Sequence, residues 1–108
     1  MVINIAKEYT RTPGGRFRKE GQYSGEDFRE YILKPAFERA NQNGEKLVVI
    51  LDGGFGYGSS FLEEAFGGLA RQTKDKRLLN IEIVSEEEPR LEKDIIEYIT
   101  DALKEKKA

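Results

Sequence analysis

The 108-residue sequence contains no cysteine and no histidine. Without cysteine there is no disulfide framework, no thiolate nucleophile, no Cys-ligated zinc and no iron–sulfur cluster. Without histidine there is no Ser-His-Asp triad, no imidazole metal ligand, and no side chain that titrates near neutrality by default. Catalysis would have to run on carboxylates, Lys, Tyr, Ser or backbone dipoles, so the chain is expected not to be an enzyme and to hold no cofactor or metal. Long apolar runs are missing too. The longest, Leu47 to Leu51, is far shorter than a membrane span needs. The first residues, Met1-Val2-Ile3-Asn4-Ile5, carry no basic segment and do not read as a signal peptide.

What is present is a charged, globular mixture. Eighteen basic and 20 acidic side chains give a net charge of −2, with 35% charged and 38% hydrophobic residues. That balance argues against a protein built to neutralise phosphate backbone, and against disorder. One domain over 1–108, in the cytoplasm, is the expectation.

Val2, Ile3 and Ile5, followed by Tyr9, read as a short strand. Pro13-Gly14-Gly15 is a turn signal, and Arg16-Phe17-Arg18 alternates as the return strand of a hairpin would. Ser24, with Asp27 three residues on, forms a helix-start signature. Phe28, Ile32, Ala36 and Ala40 then predict a helix to Asn41, kinked near Tyr31 to Lys34 by Pro35 and ended by Asn43-Gly44. Lys46 to Asp52 reads as a buried central strand. Leu62, Ala65, Phe66 and Leu69 make one helical stripe, interrupted by Gly67-Gly68, a pair tolerated where a neighbour must come close. Leu78 to Val84 is a third strand. Glu86, Glu87, Glu88 and Pro89 precede a last helix striped by Leu91, Ile95, Ile99, Ala102 and Leu103, with Lys104, Lys106 and Lys107 at its end. The predicted order is β-β-α-β-α-β-α, an α/β domain with a mixed sheet.

The segment that exceeds fold grammar is Asp52-Gly53-Gly54-Phe55-Gly56-Tyr57-Gly58-Ser59-Ser60, at the carboxyl end of a buried strand, where ligands and partners tend to sit in open α/β sheets. Three readings are open. Gly54-x-Gly56 partly matches a dinucleotide fingerprint, but Ser59 stands at the third glycine and no Gly-Lys-Ser/Thr follows. A serine in the first helical turn could carry a regulatory phosphate. Ser59 or Ser60 could simply cap the helix. Phe55 and Tyr57 are either tucked over the sheet end or presented as interface anchors. Glu63 and Glu64, being adjacent, should diverge as solvated residues. Arg11, Arg16, Arg18 and Lys19, with Tyr9 and Phe17, form a locally basic segment that could stack on single-stranded nucleic acid, or could merely protect a strand edge. The acidic balance makes nucleic acid the less favoured partner.

LVVILDGGFGYGSSFLEEAFGGLAR resembles the central strand–loop–helix of the STAS domain, found at the C-termini of sulfate transporters and in anti-sigma-factor antagonists. More narrowly, SGEDFREYILKPAF with SSFLEEAFGGL is similar to a small bacterial family described as a STAS-like domain of unknown function. In antagonists the loop reads Asp-Ser-Ser/Thr-Gly, and the hydroxyl before the glycine is phosphorylated by a partner kinase of the GHKL ATPase type. The resemblance places Ser60 on that acceptor, Ser59 on the preceding serine, Gly58 on the aspartate and Phe61 on the glycine. It implies a STAS-like fold and a regulatory module without intrinsic catalysis. That module would dock a cytoplasmic protein, such as a GHKL-type kinase or anti-sigma factor, through the loop 53–60 and the exposed face of the following helix. The competing class is a small-ligand or nucleotide-binding domain using the same loop.

Overall fold

A computed structural model describes residues 1–105. Strand β1 (Val2–Asn4) pairs in parallel with β2 (Val48–Ile50), and β2 pairs in parallel with β3 (Glu82–Val84). The sheet order is β1-β2-β3. Ile3, Val49 and Ile83 share one row of the register and are buried, whereas Val2 on the opposite face is 57% exposed. Two successive right-handed crossovers in the same direction place their helices on one face of such a sheet, and the burial pattern agrees.

The expected hairpin and mixed sheet are corrected by this arrangement, since every strand pair among the described residues is parallel. After β1 the chain turns at once into α1 (Ile5–Glu8) instead of continuing toward Tyr9. Asn4 drives the turn: its side chain accepts from the Lys7 amide at 3.1 Å, and the Glu8 carboxylate accepts from the Asn4 amide at 2.5 Å. Residues 10–24 then form an irregular strap, with one 3₁₀ turn at Arg18–Glu20. The charged residues that would have alternated along a return strand instead reach side chains elsewhere in the fold.

Helix α2 is continuous over 25–43 in three stretches: Gly25–Phe28, a wider π-turn Arg29–Leu33, and Lys34–Asn43. The Ser24 side chain accepts from the Asp27 amide at 3.0 Å, as the start signature predicts. Immediately before Pro35 the helix widens into the π-turn, in which the Lys34 amide donates to the Arg29 carbonyl five residues back. Gly44 ends the helix with φ of 66°.

Helix α3 spans 59–73 with the same construction: Ser59–Leu62, a π-turn Glu63–Gly67, and Gly68–Thr73. The third strand is shorter than the apolar run Leu78 to Val84 suggested. Asp75 accepts from the Arg77 amide at 2.9 Å and starts a 3₁₀ turn, Lys76–Asn80, which buries Leu78 but leaves Leu79 exposed. Helix α4 (Arg90–Lys104) buries Leu91, Ile95, Ile99 and Ala102 along the predicted stripe. Of the terminal lysines, Lys104 lies in its last turn, while Lys106 and Lys107 fall outside the described residues.

Helix α3 packs between α2 and α4. Phe28, Phe61 and Phe66 form the centre of the core, with the Phe28 ring 5.8 Å from Phe61 and 6.4 Å from Phe66. No helix among the described residues is long and apolar enough to cross a membrane.

Candidate functional site

The loop between β2 and α3 leaves the sheet at Leu51, whose amide donates to the Val84 carbonyl at 2.8 Å. Asp52 then grips the opposite connection. Its carboxylate accepts from the amides of Glu86 at 3.0 Å and Glu87 at 2.9 Å. The Glu87 carboxylate returns a contact by accepting from the Gly53 amide at 2.7 Å. This reciprocal clasp fixes the base of the loop to the segment before α4, so Asp52 serves the scaffold.

Beyond the clasp, Gly53 and Gly56 take φ of 96° and 113°, where a β-carbon would be strained. The Phe55 amide donates to the Arg11 carbonyl at 2.9 Å, pinning the loop tip to the strap. The two aromatics divide the alternatives between them. Tyr57 is tucked in, donating to the Leu51 carbonyl at 2.9 Å with its ring 5.8 Å from Phe61. Burial, with the nearby Asp52 and Glu87 carboxylates, pushes its hydroxyl far above the ordinary tyrosine range, so it stays protonated. Phe55 is presented, 85% exposed on a backbone fixed at both sides.

Gly58 is the residue that caps α3, without any side-chain hydrogen bond, so neither serine acts as the cap. Ser59 and Ser60 occupy the first two helical positions and are exposed. Phe61, where the antagonist family has glycine, is fully buried against Phe28 and Tyr57. Its side chain points away from solvent, whereas Ser60 is exposed.

A cleft of about 220 Å³ lies beside the loop, lined by Asp52, Gly54, Tyr57, Glu87, Glu88 and Leu91. Its carboxylates repel phosphates, which counts against the nucleotide alternative. Among the described residues no group of His, Cys, Asp or Glu is placed to hold a metal ion. A larger cavity, about 680 Å³, lies at the opposite end of the sheet among Leu47, Leu79, Ile81 and Ile96.

The helix after the loop does not offer the docking face expected of it. From Phe61 to Ala70 every residue except Glu63 is buried, because α3 is the middle helix of its layer. Glu63 and Glu64 are likewise not freely solvated. Arg16 Nη1 donates to Glu63 at 2.6 Å and to Glu64 at 3.2 Å, so the two carboxylates converge on one guanidinium. Arg71 holds Glu63 through two bonds of 2.6 and 3.0 Å. Arg29, 8% exposed, pairs with Glu64, donates to its carbonyl at 3.2 Å, and reaches Glu30 at 2.8 Å. The glycine pair makes the room. A β-carbon on Gly68 would stand 2.6 Å from Arg29 Nη1, and one on Gly67 would overlap the Glu63 carboxylate. The close neighbour the glycines anticipate is therefore a charged side chain.

These contacts move the titrations. Hydrogen bonds from Arg71 and then Arg16 hold the Glu63 carboxyl below the usual carboxylate range, outweighing burial. Hydrogen bonds from Arg29 and Gln72 do the same for Glu30. A carboxyl whose folded pKa is depressed stabilises the fold fully above its unfolded value near 4.5, and that contribution is lost as pH falls through the folded value. Urea unfolding should therefore show a stable plateau at neutral pH and a decline below about pH 4.5. In Glu63→Gln the plateau should be lower and the acid decline shallower.

The basic segment is also largely committed to internal partners. Arg16 joins the network above, Arg18 pairs with Asp27, and Lys19 lies 5.8 Å from the Phe17 ring. The Tyr9 ring packs 5.5 Å from Phe28, and burial, with the Asp27 charge, pushes its hydroxyl up to about 12. Tyr9 is thereby withdrawn into the core, and of the two aromatics of this segment only Phe17 is exposed.

A parallel three-stranded α/β domain with helices layered on one face is consistent with a STAS-like class of fold. The chain belongs to the family described as a STAS-like domain of unknown function (DUF4325), whose model matches residues 24–89. That span covers α2, β2, the loop, α3 and β3. No curated protein and no solved structure matches the chain.

Proposed function

We propose that the protein is a non-enzymatic regulatory module that docks a cytoplasmic protein partner through the loop 53–60, with Ser60 as a phosphoacceptor. The observation that carries this reading is Phe55, 85% exposed on a loop clasped by Asp52 and Glu87 and pinned to Arg11. A large aromatic presented on a pinned backbone needs little main-chain ordering on binding, which suits an interface anchor. The docking surface is the loop, Ser59 and Ser60 with the adjoining strap, and not the buried flank of α3. The resemblance to anti-sigma-factor antagonists supports a GHKL-type kinase as the partner. The exposed position of Ser60 supports transfer of the γ-phosphoryl group of ATP to its Oγ, with release of ADP and the hydroxyl proton.

The test begins by placing a photo-crosslinking phenylalanine analogue at position 55 in the native cell and identifying the attached protein. With that partner purified, Phe55→Ala should weaken binding about 100-fold, roughly 2.7 kcal/mol, while the unfolding midpoint stays unchanged. Mass spectrometry after incubation with partner and ATP should locate phosphate on Ser60. Unaltered affinity in both Phe55→Ala and Ser60→Asp, with no phosphate on Ser60, would remove the reading.

A further inference from the structure

We propose that the free edge of β3 pairs in antiparallel orientation with β3 of a second copy of this chain, joining two three-stranded sheets into one of six strands. The inference is independent of any role for Phe55 or Ser60.

Backbone direction supplies the first observation. The Glu82 amide donates to the Leu47 carbonyl at 2.9 Å, and the Val84 carbonyl accepts from the Leu51 amide at 2.8 Å, so residues 82 and 84 face β2. The residue between them turns the other way. The amide and carbonyl of Ile83 therefore point out from the edge of the sheet, with no partner among the described residues. Such unpaired groups are a template for another strand, and β3 has neither the proline nor the lysine that would guard them. The opposite edge is already engaged, because the outward Asn4 amide of β1 donates to Glu8.

Apolar surface lies beside the free edge. The cavity of about 680 Å³ is lined there by Leu79, Ile81 and Ile83 on the strand and its approach, and by Ile96 of α4. Leu79 and Ile96 are 44% and 42% exposed.

Charge selects the occupant and its direction. Three basic residues and one acidic residue at 74–77 leave a net charge of +2 before β3, and three glutamates at 86–88 give −3 after it. Lys76, Arg77, Glu86 and Glu87 are exposed. Antiparallel approach of a second copy sets the basic end of each strand against the acidic end of the other, on both sides of a two-fold axis through Ile83. Parallel approach would set like charge against like. On the axis the two Ile83 residues exchange both of their free hydrogen bonds. The two loops 53–60 then lie at opposite ends of the joined sheet.

Sedimentation equilibrium of the full chain, carried to about 1 mM because an interface of this size is weak, should show a monomer–dimer equilibrium that weakens with added salt. Two variants each invert one end: Lys76→Glu with Arg77→Glu, and Glu86→Lys with Glu88→Lys. Each alone should raise the dimer Kd about 10-fold, and an equimolar mixture should restore association, because both ends of the mixed dimer pair opposite charges. In the wild-type chain, hydrogen exchange at the Ile83 amide should slow as concentration rises into the associating range. A chain that stays monomeric throughout overturns the inference. So does a dimer that both variants form as readily as the wild type, or one whose Ile83 amide exchanges at the monomer's rate. The Ile83 measurement needs no substitution, so the inference stays testable should a variant fail to fold.

Discussion

Arg29→Met should lower the unfolding free energy by about 3 kcal/mol, while Arg29→Met combined with Glu64→Leu should regain most of the loss. The reason is asymmetric desolvation. Arg29 and Glu64 are each 8% exposed, and they meet between the two π-turns of α2 and α3. Removing the arginine strands a carboxylate in a site built to exclude water, with Arg16 at 3.2 Å as its remaining cation. Replacing both charges with apolar groups leaves Arg16 paired to Glu63, and leaves Glu30, which is 30% exposed, with the Gln72 amide at 3.1 Å. Thermal unfolding reads the difference readily, since each kcal/mol moves the midpoint of a domain this size by roughly 4–8 °C. If the double variant were no more stable than the single one, the network would be contributing shape and packing instead of charge balance.

Gly25→Ala should be strongly destabilising for a change of a single hydrogen to a methyl group. A β-carbon there would lie 2.4 Å from the Phe61 carbonyl oxygen and 3.1 Å from its carbonyl carbon and α-carbon. Those are backbone atoms at the start of α3, so relief requires the helix to move as a body. The expected loss is about 3 kcal/mol, at the upper end of what overpacking a core ordinarily causes. Gly44→Ala is a useful contrast, because nothing lies within 4 Å of its β-carbon position and the penalty is confined to its φ of 66°. The Gly25 variant should also lose hydrogen-exchange protection of the Leu62 amide, which donates to the Gly58 carbonyl at 3.3 Å, displacing Ser59 and Ser60. A Gly25→Ala protein with wild-type stability would mean that the two helices do not approach as closely as drawn.

Features encoded by neighbours in sequence were legible. The Ser24 start and Gly44 stop of α2, the disturbance just before Pro35, the buried run ending at Asp52 and the stripe of α4 all act over a few residues. The strap was not legible, because what organises it is remote: Arg16 meets Glu63 and Glu64 across 47 and 48 positions. Periodicity read Arg16-Phe17-Arg18 as a strand because alternation looks the same whether the charged residues face water or distant carboxylates. The adjacency rule for Glu63 and Glu64 failed for a related reason, since one guanidinium was placed to receive both. A signal was present in Gly67 and Gly68, each four residues after one of those glutamates, with Arg71 a further turn on. Small residues one turn from each acid mark the space that a buried cation occupies. In the loop, composition located the exposed surface but could not assign Tyr57 inward and Phe55 outward, which depends on the clasp between Asp52 and Glu87.

The strand order has a consequence during synthesis. Strands laid down in the sequence β1-β2-β3 let the sheet grow at one edge as the chain emerges, each addition waiting for a whole helix to pass. Helix α3, the most apolar of the layer, is made before α4, which covers its second side. At translation rates of about 5–20 residues per second, the nascent domain spends a second or more with that flank uncovered. A chain of which only residues 1–84 had left the ribosome would therefore carry all three strands but no Glu87 to clasp the loop of Phe55 and no lid over α3.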